Sequence, residues 1–236
     1  MSQRGRVGVI DGVTDELVPH PCSVVRENTH PGQGTVLVLG TPRGGTSVVA
    51  GICHVLGVQM GLDIDSSNME DRTFQRSRAS AEPSAAVARY FAELTAQRSL
   101  VGVKDPTMID DLHTYWEAIP DPVLVVVSRD VYATAQREQV SGVGFFEGLE
   151  AAIRRKYEIH TFVKQVDAPL LIISYERLLQ DPRCAVEGLA TFLVNHTTSD
   201  CMSAATELIK PHARMPEEVD FVAARSKLES EVQSLR

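Results

Sequence analysis

Long apolar runs are missing from this 236-residue chain: the longest, Val123 to Val127, holds five residues, far short of the ~20 a membrane-spanning helix needs. No bilayer span is expected. Positive charge is also scarce. Lys and Arg total 23 against 31 Asp and Glu, a formal charge of −8 with a pI near 5.4, which argues against an extended surface for a polyanion such as nucleic acid. The four cysteines form no C-x-x-C pair, and the seven histidines form no H-x-x-x-H. Neither a zinc site nor a disulfide framework is indicated, so no metal is expected. Cys53, in an apolar helical stretch, reads as a small buried hydrophobe, and His54 beside it as a residue packed on the same helix. The first residues place Asp11, Asp15 and Glu16 where a secretory signal carries its apolar core, and a cytoplasmic location follows as the expectation. Repeats and low-complexity tracts are absent.

What remains is an ordinary globular composition, 43% hydrophobic and 23% charged, enough for one sizeable core. Apolar runs at Thr35–Leu39, Pro122–Val127 and Pro169–Ile173, with a weaker one at Ser99–Val103, are continuous and rich in β-branched residues. That pattern marks strands covered on both faces. Helical periodicity fills Thr46–Leu56, Pro83–Gln97, Thr107–Glu117, Val131–Val140, Leu149–Val166 and Cys184–Leu193. The alternation predicts an α/β fold of three layers around a central, mainly parallel sheet. Residues 1–33 read as an N-terminal extension and 34–236 as a single domain. Gly61 to Ala81, polar and poor in large apolar residues, reads as a surface loop or flap. Pro216 to Arg236 reads as an exposed or docking helix.

The strongest local signal is Leu39-Gly-Thr-Pro-Arg-Gly-Gly-Thr-Ser-Val-Val49, a strand end entering glycines and then a helix. Gly44 and Gly45 permit the sharp turn that aims successive N–H groups at one point, where the helix dipole also favours an anion. Thr46 and Ser47 add hydroxyl donors, and Arg43 adds a cation. Phosphate is the natural occupant. Against the pattern G-x-x-x-x-G-K-[ST], Gly40 to Ser47 matches both glycines and the final hydroxyl but has Thr46 where the lysine belongs. No strand ends in a clean apolar run followed directly by an aspartate for magnesium. Hydrolysis of ATP or GTP is disfavoured on both counts.

Thr41-Pro-Arg-Gly-Gly-Thr-Ser47 resembles the 5′-phosphosulfate loop of sulfotransferases that use 3′-phosphoadenosine 5′-phosphosulfate (PAPS). Two further segments follow in family order. Val125-Val-Val-Ser-Arg-Asp-Val-Tyr-Ala-Thr134 is similar to the 3′-phosphate segment: Arg129 matches its cation, Val131 replaces a proline, and Arg137 stands where a serine is usual. A guanidinium there can still grip phosphate oxygens. Ser174-Tyr-Glu-Arg-Leu-Leu-Gln-Asp-Pro182 resembles Y-E-D-L-x-x-D-P, with Tyr175 against the adenosine and Asp181 capping the next helix. The motifs span residues 35–194. The resemblance implies a P-loop-NTPase-like sulfotransferase fold of the bacterial or carbohydrate-type branch.

The resemblance also implies roles at the reacting centre. Lys104, in Gly102-Val-Lys-Asp-Pro106, matches a K-D-P segment whose lysine reaches the sulfuryl group. The histidine that cytosolic small-molecule members place after this lysine is absent, and Asn68-Met-Glu-Asp-Arg-Thr-Phe74 resembles the segment from which other branches draw a glutamate base. Glu70 is the candidate, with Asp63, Asp65 and Asp105 as alternates. Lys210 and Arg214, in Leu208-Ile-Lys-Pro-His-Ala-Arg214, resemble a basic segment that folds over the nucleotide. The reading is transfer of a sulfuryl group from PAPS, without a metal, to a hydroxyl or amine of a small-molecule or carbohydrate acceptor. An atypical P-loop kinase or NTPase and a non-catalytic module binding adenosine 3′,5′-bisphosphate (PAP) are the alternatives. Oligomeric state is left open.

Overall fold

The computed structural model describes residues 20–194, 196–209, 222, 225–227 and 229–230. Strands β1 (Cys22–Arg26) and β2 (Gly34–Gly40) lead into helix α1 (Thr46–Val55), followed by the short strands β3 (Gln59–Met60), β4 (Ile64–Asp65) and β5 (Glu70–Asp71). Helices α2 (Arg72–Arg78) and α3 (Pro83–Thr95) precede β6 (Leu100–Lys104), and a short helix α4 (Leu112–Tyr115) separates it from β7 (Pro122–Ser128). Then come α5 (Val131–Gln139), α6 (Phe145–Gln165), β8 (Leu170–Ser174), α7 (Tyr175–Gln180), α8 (Pro182–Leu193) and α9 (Ser199–Glu207).

The main sheet has the order β1-β8-β7-β2-β6-β3 and is parallel except for β1, which runs antiparallel to β8. Helices cover both faces, as a parallel sheet requires. Alternation along β2 sorts the core into two halves. Val36 and Val38 pack with Val49, Ile52, Val186 and Leu189 of α1 and α8, whereas Leu37 and Leu39 pack with Phe91, Leu94, Ile159 and Val163 of α3 and α6. This is the three-layer α/β architecture expected. Strand order reverses at β2, whose successor β3 lies beyond β6 on one side while β7 lies on the other. Ligands of such sheets bind at the carboxyl ends of the strands beside that reversal. Among the described residues no helix is long and apolar enough to cross a membrane.

Three segments differ from their sequence readings. Cys22–Arg26, within the stretch read as an extension, is an edge strand of the sheet. Thr107–Glu117, read as one helix, is broken into the short α4 and tighter three-residue turns at Met108–Asp110 and Trp116–Ala118, with Met108, Asp110, Asp111 and Thr114 each donating to the carbonyl three residues back. Buried residues spaced three and four apart suit either winding. Gly61–Ala81, read as a flap, holds β4, β5 and α2 around a buried Phe74. Asp71, also buried, accepts from the amides of Leu62 (2.5 Å), Asp63 (2.6 Å) and Phe74 (2.5 Å). Its carboxylate supplies internally what a surface loop takes from water.

Candidate active site

The loop after β2 turns as its glycines require. Gly44 donates to the carbonyl of Thr41 at 2.9 Å, and Gly45 sits at φ +90° as the N-cap of α1. A Cβ on Gly45 would overlap the Tyr175 ring, and one on Gly44 would lie 2.6 Å from the Thr41 hydroxyl. The first amides of α1 have no carbonyl within the helix to bond, so they are donors available to an anion. Thr46, at the first helical position, is buried, whereas Ser47 is partly open. Arg43 takes the left-handed region at φ +55°, and its exposed guanidinium donates to the hydroxyl of Ser141 at 2.7 Å.

Strand register brings the other candidates to this edge. β7 ends at Ser128 beside Ser174 of β8, so Arg129 and Tyr175 follow neighbouring strand ends. Arg129 donates from Nη1 to the Arg43 carbonyl at 2.7 Å and lies over the Tyr175 ring at 4.9 Å. Its Nε is buried without a hydrogen-bond partner, as is the Thr41 hydroxyl. Burial raises the Tyr175 phenol above its ordinary range, opposed by the charges of Arg129 and Arg137. Arg137 therefore stands within electrostatic reach of the same ring. Asp130 caps α5 through the Ala133 amide at 2.8 Å, and Glu176 accepts from the Asp130 amide at 2.9 Å, tying the β7 and β8 ends together.

On the other side of β2, Lys104 pairs in register with Val38 and is only 2% exposed. Its ammonium donates to Glu70 Oε1 at 2.7 Å and to the Asn68 carbonyl at 3.1 Å. Burial holds Lys104 below the ordinary lysine range; the charges of Glu70 and Asp105 oppose that shift and the charge of Arg43 adds to it. Sulfuryl and base candidates thus form one ion pair within the field of the loop cation. The alternate bases are engaged elsewhere. Asp105 accepts from Arg78 at 2.6 Å and from Thr107, while Asp63 and Asp65 face Arg72 on the surface. Hydrogen bonds from Ser67 hold the Asp65 carboxyl below the usual range, which weakens it as a base.

Gln75 and Arg78 of α2 were missed. Gln75 donates to Glu70 Oε2 at 3.0 Å and reaches Asp105 at 3.4 Å. The only available sign was their placement three apart on a polar segment flanking buried Phe74. Cys53 and Cys22 are free and buried, and burial pushes both thiols up to about 12. No group of three or more His, Cys, Asp or Glu among the described residues is arranged to hold a metal. Lys210 and Arg214 lie outside the described residues.

A parallel sheet in this order, with a glycine loop opening the helix at its reversal point, defines a P-loop-like α/β protein. No family model matches the sequence, and no curated protein does either. Solved structures do. The sulfotransferase domain of the olefin synthase of Synechococcus PCC 7002 is 17% identical with a TM-score of 0.56, covering 86% of this chain and 98% of its own. Sulfotransferase STF1 of Mycobacterium tuberculosis H37Rv is 12% identical with a TM-score of 0.54, over 74% of this chain and 71% of its own. Sulfotransferase STF9 of Mycobacterium avium is 15% identical with a TM-score of 0.50, over 88% and 78%. The chain has the sulfotransferase fold.

Proposed function

We propose that the chain is a sulfotransferase that moves the sulfuryl group of PAPS to a hydroxyl or amine of a small-molecule or carbohydrate acceptor in the cytoplasm. The observation that carries this reading is Arg129. A buried guanidinium nitrogen without a partner is costly, and this one lies between a phosphate-type loop and an aromatic ring at the sheet's ligand edge. A phosphate-bearing nucleotide supplies the missing acceptor. The unpartnered Thr41 hydroxyl and the two glycines, Gly44 and Gly45, that leave no room for a Cβ fit the same ligand.

In this reading the α1 amides, Gly44, Gly45, Thr46 and Ser47 hold the 5′-phosphate, Arg129 and Arg137 the 3′-phosphate, and Tyr175 the adenosine. Glu70 takes the proton from the acceptor as its oxygen or nitrogen bonds to sulfur. The bond from sulfur to the bridging oxygen breaks, and PAP leaves with that electron pair. Arg43 and Lys104 stabilise the charge on the bridging and sulfuryl oxygens. Positioning and charge stabilisation carry most of the catalysis, as in phosphoryl transfer.

The test is ligand-dependent stability. PAP at a hundredfold its Kd adds about 2.7 kcal/mol, equivalent to a rise of about 5–10 °C in Tm for a chain of this size, whereas ATP with magnesium gives little. Arg129→Ala removes most of the PAP shift. Glu70→Gln keeps it but lowers PAP release from PAPS, assayed with a panel of alcohols, phenols and amines, by about 10²–10⁴. A larger shift with ATP than with PAP overturns the reading.

A further inference from the structure

Lys104 closes β6 and Asp105 follows it directly. Both engage one short segment. Lys104 donates to Glu70 Oε1 at 2.7 Å; Gln75 donates to Glu70 Oε2 at 3.0 Å; Gln75 also reaches Asp105 Oδ2 at 3.4 Å. The four residues form a ring closed by the Lys104–Asp105 peptide bond. Outside it, Arg78 donates to Asp105 at 2.6 Å and to Asp111 at 2.7 Å, with its side chain only 10% exposed. Asp105 is held further by the Thr107 amide and hydroxyl, each at 2.8 Å.

The arrangement matters because a carboxylate held at one oxygen swings about that contact. Lys104 alone fixes Oε1 and leaves the plane of the Glu70 carboxylate free to turn. A second donor on Oε2 fixes the plane. Each oxygen has two lone pairs, so two donors still leave one lone pair on each oxygen for an incoming proton. Base catalysis depends on heavy-atom approach within a few tenths of an ångström.

We propose that Gln75 is a positioning residue: braced through Asp105 by Arg78, it fixes the orientation in which Glu70 meets the acceptor. The role rests on the transferase reading, and it assigns α2 to the reaction without giving it contact with either substrate. Asp105, an alternate base from the sequence, becomes the brace because its oxygens are committed to Arg78, Thr107 and Gln75.

Two measurements test it. In protein labelled with ¹³C at the glutamate carboxyl carbons, the Glu70 signal, assigned by its loss in Glu70→Gln, moves on Gln75→Leu; an unmoved signal overturns the proposal and needs no acceptor. In PAP release from PAPS, with the best acceptor of the panel or with water where none is better, Gln75→Leu lowers kcat by about 10- to 100-fold, the worth of one hydrogen bond to a charged group. KM for PAPS and the PAP-induced shift stay as in the parent. Gln75→Glu, equal in size but with an acceptor facing two carboxylates, loses more than Gln75→Leu; a residue that only fills space gives the reverse order. A Gln75→Leu effect confined to KM, or none on kcat, sinks the role of Gln75. Absence of the PAP shift in the parent protein sinks the transferase reading instead.

Discussion

Gly45 carries two constraints that no other residue type meets together. Its φ of +90° is open to glycine alone at low cost, and the Tyr175 ring occupies the space a Cβ needs. Gly45→Ala is expected to lose about 2–6 kcal/mol in chemical denaturation, the sum of backbone strain and overpacking. The two parts separate in a double variant. Tyr175→Ala removes the overlap but not the strain, so Gly45→Ala costs less in that background, and equal costs in both would place the clash elsewhere. The same contact explains why Tyr175 was readable from sequence only by resemblance: nothing in Ser174-Tyr-Glu-Arg marks a ring that must seat on a glycine 130 positions earlier. Lys104 carries a second residue-scale expectation. Burial lowers its proton affinity despite Glu70, so the alkaline limb of kcat against pH falls below the ordinary lysine value of about 10.4. A limb at or above that value would show that Lys104 is not the cation that counts.

At the scale of elements, α2 shows why composition misled. The stretch from Gly61 to Ala81 is polar, and polar stretches are usually wet. Here Asp71 satisfies three backbone amides while Phe74 enters the aromatic core with Tyr90, Phe91 and Tyr115. A buried carboxylate that replaces water cannot be told from a surface one by its letter. Asp71→Asn keeps the shape but turns an amide group toward one of those N–H donors. It is expected to cost about 2–4 kcal/mol, one or two buried groups left unmatched, with PAPS turnover falling alongside because Glu70 precedes it in β5. Denaturation midpoints against kcat separate the effects: a stability loss with full turnover would detach α2 from the site. The apolar strands, by contrast, were legible because burial on both faces leaves no room for polar positions. β1 was not, since Val24 and Val25 are 46% and 53% exposed on a sheet edge. The turn of the glycine loop was legible because glycine spacing dictates backbone turns, whereas the contacts of Gln75 are hydrogen bonds across the fold.

For the whole molecule, the far end of α1 matters as much as the end that carries the glycine loop. Arg225, near the C-terminus and only 8% exposed, donates to the carbonyls of His54 at 3.1 Å and Val58 at 2.8 Å and lies 3.3 Å from His54 Nδ1. A cation here complements the negative pole of the helix whose positive pole meets the loop, and its hydrogen bonds fasten Arg225 to the end of α1. The cost falls on His54. Burial, and then the charge of Arg225, push its pKa down to about 4, so the folded protein holds it neutral at pH values where the unfolded chain, near 6.5, takes up a proton. The unfolded state binds more protons in that window, so stability present above pH 6.5 is lost as pH falls toward 4, by about 3 kcal/mol in all and about 2 kcal/mol between pH 7.5 and 5. Urea denaturation at those two pH values is the measurement. His54→Gln removes the titration and flattens the difference by that amount. Arg225→Met flattens it in part, because desolvation persists when the neighbouring charge is gone. An unchanged pH slope in His54→Gln would mean that the acid sensitivity resides in other groups and that Arg225 is held to α1 through the carbonyls alone.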